Sequence, residues 1–203
     1  IFYNNHADFQ QTNTISGLLG SGTGGVTESL KNRVIMPVAP TLAQTDHTLG
    51  HELVHAFQYN VLLHSDSSKL FSINNLPLWM IEGMAEYLSI GSLDPNTSMW
   101  MRDALINKRF PTLDQLSNQS EYFPYRYGQS FWAMVGKTWG DTVIIPLLRK
   151  TAQYGFEKAT DTILRINSKS LSGMWKSANE IYFKQFLKDS IDNLTGKVIV
   201  SDK

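Results

Sequence analysis

The chain is predicted to be an α+β protein, with a small N-terminal β-sheet and the helix that carries its chemistry, followed by a mostly helical lobe. The first third alternates short extended stretches with glycine-rich loops, whereas beyond Thr45 apolar residues recur at helical spacing. At 203 residues the chain is long enough for one well-buried core. The segment TLGHELVHAFQY, Thr48 to Tyr59, then sets two histidines four residues apart with a glutamate beside the first, in a chain with only five histidines and seven glutamates.

The elements are expected in this order. NRVIMPV, residues 32 to 38, reads as a strand, and Pro37 places it at a sheet edge. Thr45 or Asp46 caps a helix running to about Asn60, its apolar positions Leu49, Leu53, Ala56 and Phe57 lying at helical intervals. A second helix begins near Pro77, a residue suited to the first turn, and stops at Gly91. Asp94-Pro95 is a turn opening a third, over about Asn96 to Lys108. YRYGQSFWAMVGKTW forms a fourth that ends before Gly140, and Asp141 or Thr142 caps a fifth that runs to about Tyr154. Two more fit Glu157 to Ile166 and Leu171 to Ser190. Trp79, Trp132, Trp139 and Trp175 are expected to furnish core volume. Residues 1–195 are read as a single domain, sheet-rich over 1–45 and helical over 46–195. Residues 196–203 form a tail or the start of a further C-terminal domain.

Eighteen basic residues balance eighteen acidic ones, so the basic footprint of a nucleic-acid or anionic-membrane binder is missing. No apolar run approaches the roughly 18 residues that span a bilayer. Without cysteine, a metal can be held only by imidazole and carboxylate. Gly20 to Gly25, GSGTGG, formally matches a dinucleotide fingerprint, but a strand follows it where that motif needs a helix, so it is read as a flexible loop flanking the cleft.

On a helix, residues i and i+4 project from one face, so His51 and His55 can offer two imidazole nitrogens to one ion. Glu52 then lies beside the ion but is directed past it, where its carboxylate can take a proton from water acidified by a metal. A catalytic zinc takes three protein ligands, and the candidates for the third are His6, His47, His64, Glu82 and Glu86. Glu82 and Glu86 share a helix face and could both be aimed at the first helix if the two pack antiparallel. Glu82 would then bind the ion, and Glu86 would accept the free ring N–H of His51 or His55. His47, one turn before His51, is placed behind the ligands or at the helix end.

H-E-L-V-H followed by W-M-I-E-G-M-A-E-Y resembles the gluzincin zinc metallopeptidases of the peptidase MA-like group. The resemblance implies a zincin-like fold and one zinc per chain held by His51, His55 and Glu82, with Glu52 as general base. PYRYGQSFW, Pro124 to Trp132, is similar to the Tyr-x-x-Gly segment of related aminopeptidases, whose tyrosine stabilises the oxyanion. Carried over by position, that tyrosine is Tyr125, with Tyr122 and Tyr127 as neighbours in sequence. GGVTES echoes a Gly-Gly-Met-Glu-Asn motif that recognises a substrate amine, which makes Glu28 a substrate-contact candidate, and NRVIMPV would be the strand to which an extended peptide adds.

Most of residues 20 to 190 looks like the metallopeptidase domain that precedes a TolB-like β-propeller in some secreted bacterial proteins. This implies a periplasmic or extracellular location, a peptide or protein substrate and a C-terminal propeller partner. The reaction expected is zinc-dependent peptide-bond hydrolysis. Two other readings stand beside it: a catalytically inactive domain of the same type that binds a peptide or partner protein, and a zinc hydrolase acting on a non-peptide amide.

Overall fold

A computed structural model describes residues 1–63 and 73–191. It is α+β, with a three-stranded sheet at the N-terminus and helices thereafter. The strands are β1 (Phe2–Tyr3), β2 (Val26–Glu28) and β3 (Arg33–Pro37), and α1 (His6–Gln10) follows β1, capped by the Asn5 side chain. β3 is the central strand, parallel to β1 in the register Phe2↔Met36 and antiparallel to β2 with Thr27 opposite Val34. The expectation of an edge strand at NRVIMPV is therefore corrected. Met36 and Val38 donate their N–H groups to the carbonyls of Ile1, just before β1, and Tyr3, whereas β2 pairs only as far as Ile35. The N–H that Pro37 lacks would have faced beyond the end of β2, so the proline costs no ladder bond. The edges of this sheet are β1 and β2.

The helix carrying the histidines, α2 (Leu42–Leu63), starts earlier than its sequence suggests. Thr41 caps it by accepting the Gln44 N–H at 3.2 Å. Thr45 instead accepts the Ala39 N–H at 3.0 Å and ties down the link from β3. The lobe then runs through α3 (Leu78–Ile90), α4 (Pro95–Ile106), α5 (Leu113–Asn118), α6 (Pro124–Trp139), α7 (Ile144–Tyr154), α8 (Phe156–Ala159) and α9 (Ser168–Ile191). Asp94 caps α4, its carboxylate accepting the Thr97 N–H at 2.7 Å. Neither Asp141 nor Thr142 caps α7: a 3₁₀ turn over Asp141–Val143 leads into it, and Asp141 accepts the Tyr87 hydroxyl at 2.8 Å. α5 has no counterpart in the sequence reading, although Thr112 and Gln115 form a capping box there, a T-x-x-Q signal visible in the chain. α8 continues into a π turn over Thr160–Leu164 that ends at Arg165 in the left-handed region. The residue 196–203 tail lies outside the described residues, and no described helix is long and apolar enough to cross a membrane.

Trp79, Trp132 and Trp175 are fully buried in the lobe, and each indole N–H is satisfied, by Ser117, the Met80 carbonyl and Ser130 respectively. Trp139 is only partly buried against this core. Two packing contacts set the site. α3 meets α6 backbone to backbone: a Cβ on Gly83 would lie 2.2 Å from the Gly128 carbonyl carbon, and one on Gly128 would lie 2.0 Å from the Trp79 oxygen. Only glycine at both positions permits this approach. α2 meets α3 at Gly50, where a Cβ would come within 3.1 Å of Ser89.

Candidate metal centre

The contacts between α2 and α3 run in opposite senses. Gly50 faces Ser89, His51 faces Glu86 and Glu82, His55 faces Glu82, and Gln58 reaches the Ile81 carbonyl. Positions ascend along α2 as they descend along α3, so the helices are antiparallel, and the two carboxylates one turn apart on α3 meet the two imidazoles one turn apart on α2.

His51, Glu52, His55 and Glu86 are all buried, with Glu82 less so. His51 Nδ1 donates to Glu86 Oε1 at 2.9 Å. His55 Nδ1 donates to Gln58 Oε1 at 2.8 Å, and the amide of Gln58 is itself oriented by its Nε2 donating to the Ile81 carbonyl at 2.9 Å. Each ring thus keeps a proton on Nδ1, which leaves its Nε2 as the atom whose lone pair a metal could take in place of a proton. These lone pairs converge. His51 Nε2 is 3.0 Å from His55 Nε2 and 3.1 Å from Glu82 Oε2, and His55 Nε2 is 3.3 Å from the same oxygen. Ligands bound at about 2.05 Å in a tetrahedron stand about 3.3 Å apart, so this triangle has the size of one face of such a site. Three lone pairs converging at this distance would repel one another, so a positive charge belongs among them, a proton in the metal-free protein or a metal ion in its place.

The electrostatics express the same demand. Burial by itself lowers the pKa of His51, but its hydrogen bonds to Glu82 and Glu86 outweigh this and push it up to about 9. Burial raises Glu82, yet its contacts with His51 and His55 hold it down at about 2; Glu86 is likewise held at about 2 by His47, His51 and Arg126 against the effect of burial.

His47, His51 and Glu86 form a second group able to hold an ion. Its chemistry is less suited to one. Glu86 Oε1 accepts from both His51 Nδ1 and His47 Nε2, the latter at 3.2 Å, and Glu86 Oε2 accepts from Arg126 at 3.0 Å. Protons and a guanidinium already fill this side, and an ion there would displace two of those protons and face Arg126. Either group could hold a metal, and His51, His55 and Glu82 form the one whose converging atoms face no guanidinium.

Glu52, on the same helix, is held from the sheet side. The Thr27 hydroxyl donates to Glu52 Oε2 at 2.6 Å, and Gly25 lies against the same carboxylate. From the other side Tyr125 stacks on His51, with ring centroids 5.7 Å apart and planes inclined by 18°. Burial, followed by the Glu82, Glu52 and Glu86 carboxylates, pushes the Tyr125 pKa up and keeps its hydroxyl protonated. The other two tyrosines considered belong elsewhere. Tyr127 is buried among Trp100, Phe110, Tyr122 and Trp175, and Tyr122 packs on it.

Glu28 is not brought to the cluster. Successive residues of a strand face opposite ways, and with Thr27 turned to Glu52, Glu28 pairs with Lys31 and Arg33. His6 donates through Nε2 to the Thr23 carbonyl at 2.9 Å, and His64 lies outside the described residues. The sequence reading passed over Gln58, Arg126, Thr27 and Gly25. Gln58, three residues after His55 on the same face, carried a local signal; the others reach the site from distant elements. No known family, curated protein or solved structure matches this chain.

Proposed function

We propose that this chain is a zinc-dependent peptidase of the gluzincin type with a zincin-like fold, in which His51, His55 and Glu82 hold the metal and Glu52 is the general base. One observation carries the reading: three lone pairs from two imidazoles and a carboxylate stand 3.0 to 3.3 Å apart, with the non-coordinating carboxylate of Glu52 on the helix that bears the imidazoles. Two imidazoles and one carboxylate, with no thiolate in the chain, form a donor set that would suit zinc. When bound, zinc supplies Lewis acidity, acidifying water and polarising a carbonyl.

The remaining work falls to the chain's own groups. Glu86 and Gln58 hold the Nδ1 protons of His51 and His55, keeping both Nε2 lone pairs turned to the ion. Glu52 removes a proton from the attacking water and returns it to the leaving amine. The Tyr125 hydroxyl, protonated throughout, donates to the oxyanion as the carbonyl becomes tetrahedral. A peptide or protein is the substrate, and a periplasmic or extracellular setting with a C-terminal propeller is part of the same proposal.

The test is elemental analysis of purified wild type and Glu82→Ala, followed by peptide-library digestion with wild type and Glu52→Gln. One zinc per wild-type chain, lost in Glu82→Ala, and cleavage abolished in a zinc-loaded Glu52→Gln are the expected results. A wild type that neither retains nor takes up zinc rejects the metal site. A zinc-loaded wild type that cleaves nothing leaves the peptide-binding domain as the better reading.

A further inference from the structure

Glu52 is gripped by the strand that faces it. β2 enters beside α2 through Gly24 and Gly25, and a Cβ on Gly24 would touch Thr48, one turn before Glu52, at 3.6 Å. One residue on, a Cβ on Gly25 would fall 2.8 Å from both Glu52 Cγ and Oε1. Two residues further, the Thr27 hydroxyl donates to Glu52 Oε2 at 2.6 Å, and the Glu52 carbonyl oxygen lies 2.9 Å from the same hydroxyl. Thr27 is fixed by its pairing opposite Val34 on the central strand, so the hydroxyl is held by the sheet and not by a loop.

We propose that Gly25 and Thr27 are positioning residues for the general base. Thr27 binds Oε2 and fixes the plane of the carboxylate, and Gly25 leaves the space into which Oε1 fits; with Oε2 taken by the hydroxyl, Oε1 is the oxygen left to accept the proton from water. A glutamate side chain otherwise has three rotatable torsions, and a base must lie within hydrogen-bond reach of the proton it abstracts. The clamp removes that freedom before substrate arrives. It touches neither the metal ligands nor the partners that orient them. The inference rests on Glu52 being the base of a peptidase.

The experiment compares zinc-loaded wild type, Thr27→Val, Thr27→Ser and Glu52→Gln in steady-state hydrolysis of a cleaved peptide, with zinc content measured on each. Thr27→Val keeps the β-branched shape and loses only the hydroxyl. It is expected to lower kcat about 10- to 100-fold, the loss that accompanies a hydrogen bond to a charged group, with KM within about twofold and zinc unchanged. Thr27→Ser restores kcat to within a few-fold. A wild-type kcat in Thr27→Val, or equal losses in the Val and Ser variants, overturns the clamp while Glu52→Gln, still inactive, upholds the peptidase. If wild type does not turn over, the peptidase reading fails by itself, and crystal structures of wild type and Thr27→Val decide the contact: an identical Glu52 side chain in both overturns it, and a displaced one in the valine variant supports it.

Discussion

Replacing Glu86 by glutamine tests the assignment of ligand and orienting carboxylate, because it keeps the shape and removes the charge. The carboxylate accepts from donors on both oxygens, His51 and His47 on one and Arg126 on the other. Whichever way the substituted amide is turned, its NH₂ meets a donor. With the NH₂ toward Arg126, His51 keeps a neutral acceptor in place of an ionised one; turned the other way, His51 loses its acceptor. A hydrogen bond to a charged partner contributes about 1.5–3 kcal/mol. Loss of the charge should therefore weaken zinc binding about 10- to 100-fold, the range found when partners that orient metal-bound histidines are removed. Titration of metal-free protein with zinc against a chromophoric chelator of matched affinity measures this. Glu82→Gln, which removes a ligand, is expected to lose more than Glu86→Gln. An affinity in Glu86→Gln within about threefold of wild type would refute the orienting role, which predicts at least tenfold. A larger loss there than in Glu82→Gln would place the ion in the His47, His51 and Glu86 group.

Three further outcomes are expected. Tyr125→Phe should keep its zinc and KM but lose about 10²- to 10³-fold in kcat, as measured by peptide hydrolysis, because a single oxyanion donor is missing. Gly128→Ala should destabilise the protein by about 3 kcal/mol or more in denaturant melts, since the new methyl would meet the Trp79 carbonyl at 2.0 Å between two helix backbones; this outweighs the roughly 1 kcal/mol that alanine gains over glycine in a helix. In metal-free protein, His51 has its pKa raised from 6.5 to about 9, so its contribution to stability is complete below pH 6.5 and disappears as pH rises through about 9. Glu82 and Glu86, lowered from 4.5 to about 2, contribute above pH 4.5 and lose that contribution as pH falls through about 2. Thermal melts should show Tm falling on both sides of the window from pH 4.5 to 6.5, with zinc flattening the alkaline side.

What the chain determined alone was whatever depends on near neighbours. Spacings of four residues along a helix place His51 with His55 and Glu82 with Glu86, and no tertiary contact is needed to know that each pair shares a face. Pro77, Gly91 and Gly140 likewise mark helix ends through their own backbone preferences, Gly91 and Gly140 both standing at positive φ. The tertiary structure decided what depends on one element meeting another. Local preference made β3 an edge, but its neighbours on either side make it central. Thr45 reads as a cap and is used as a tie, because Thr41 lies one turn closer to the point where β3 releases the chain. Among Tyr122, Tyr125 and Tyr127, the Gly83–Gly128 contact sets the rotation of α6 on α3, which puts Tyr125 on His51 and Tyr127 in the core. The residues that finish the site, Thr27 on the sheet and Arg126 on α6, are 25 and 40 positions from the carboxylates they hold. No periodicity spans such distances, so only the packed chain brings them together.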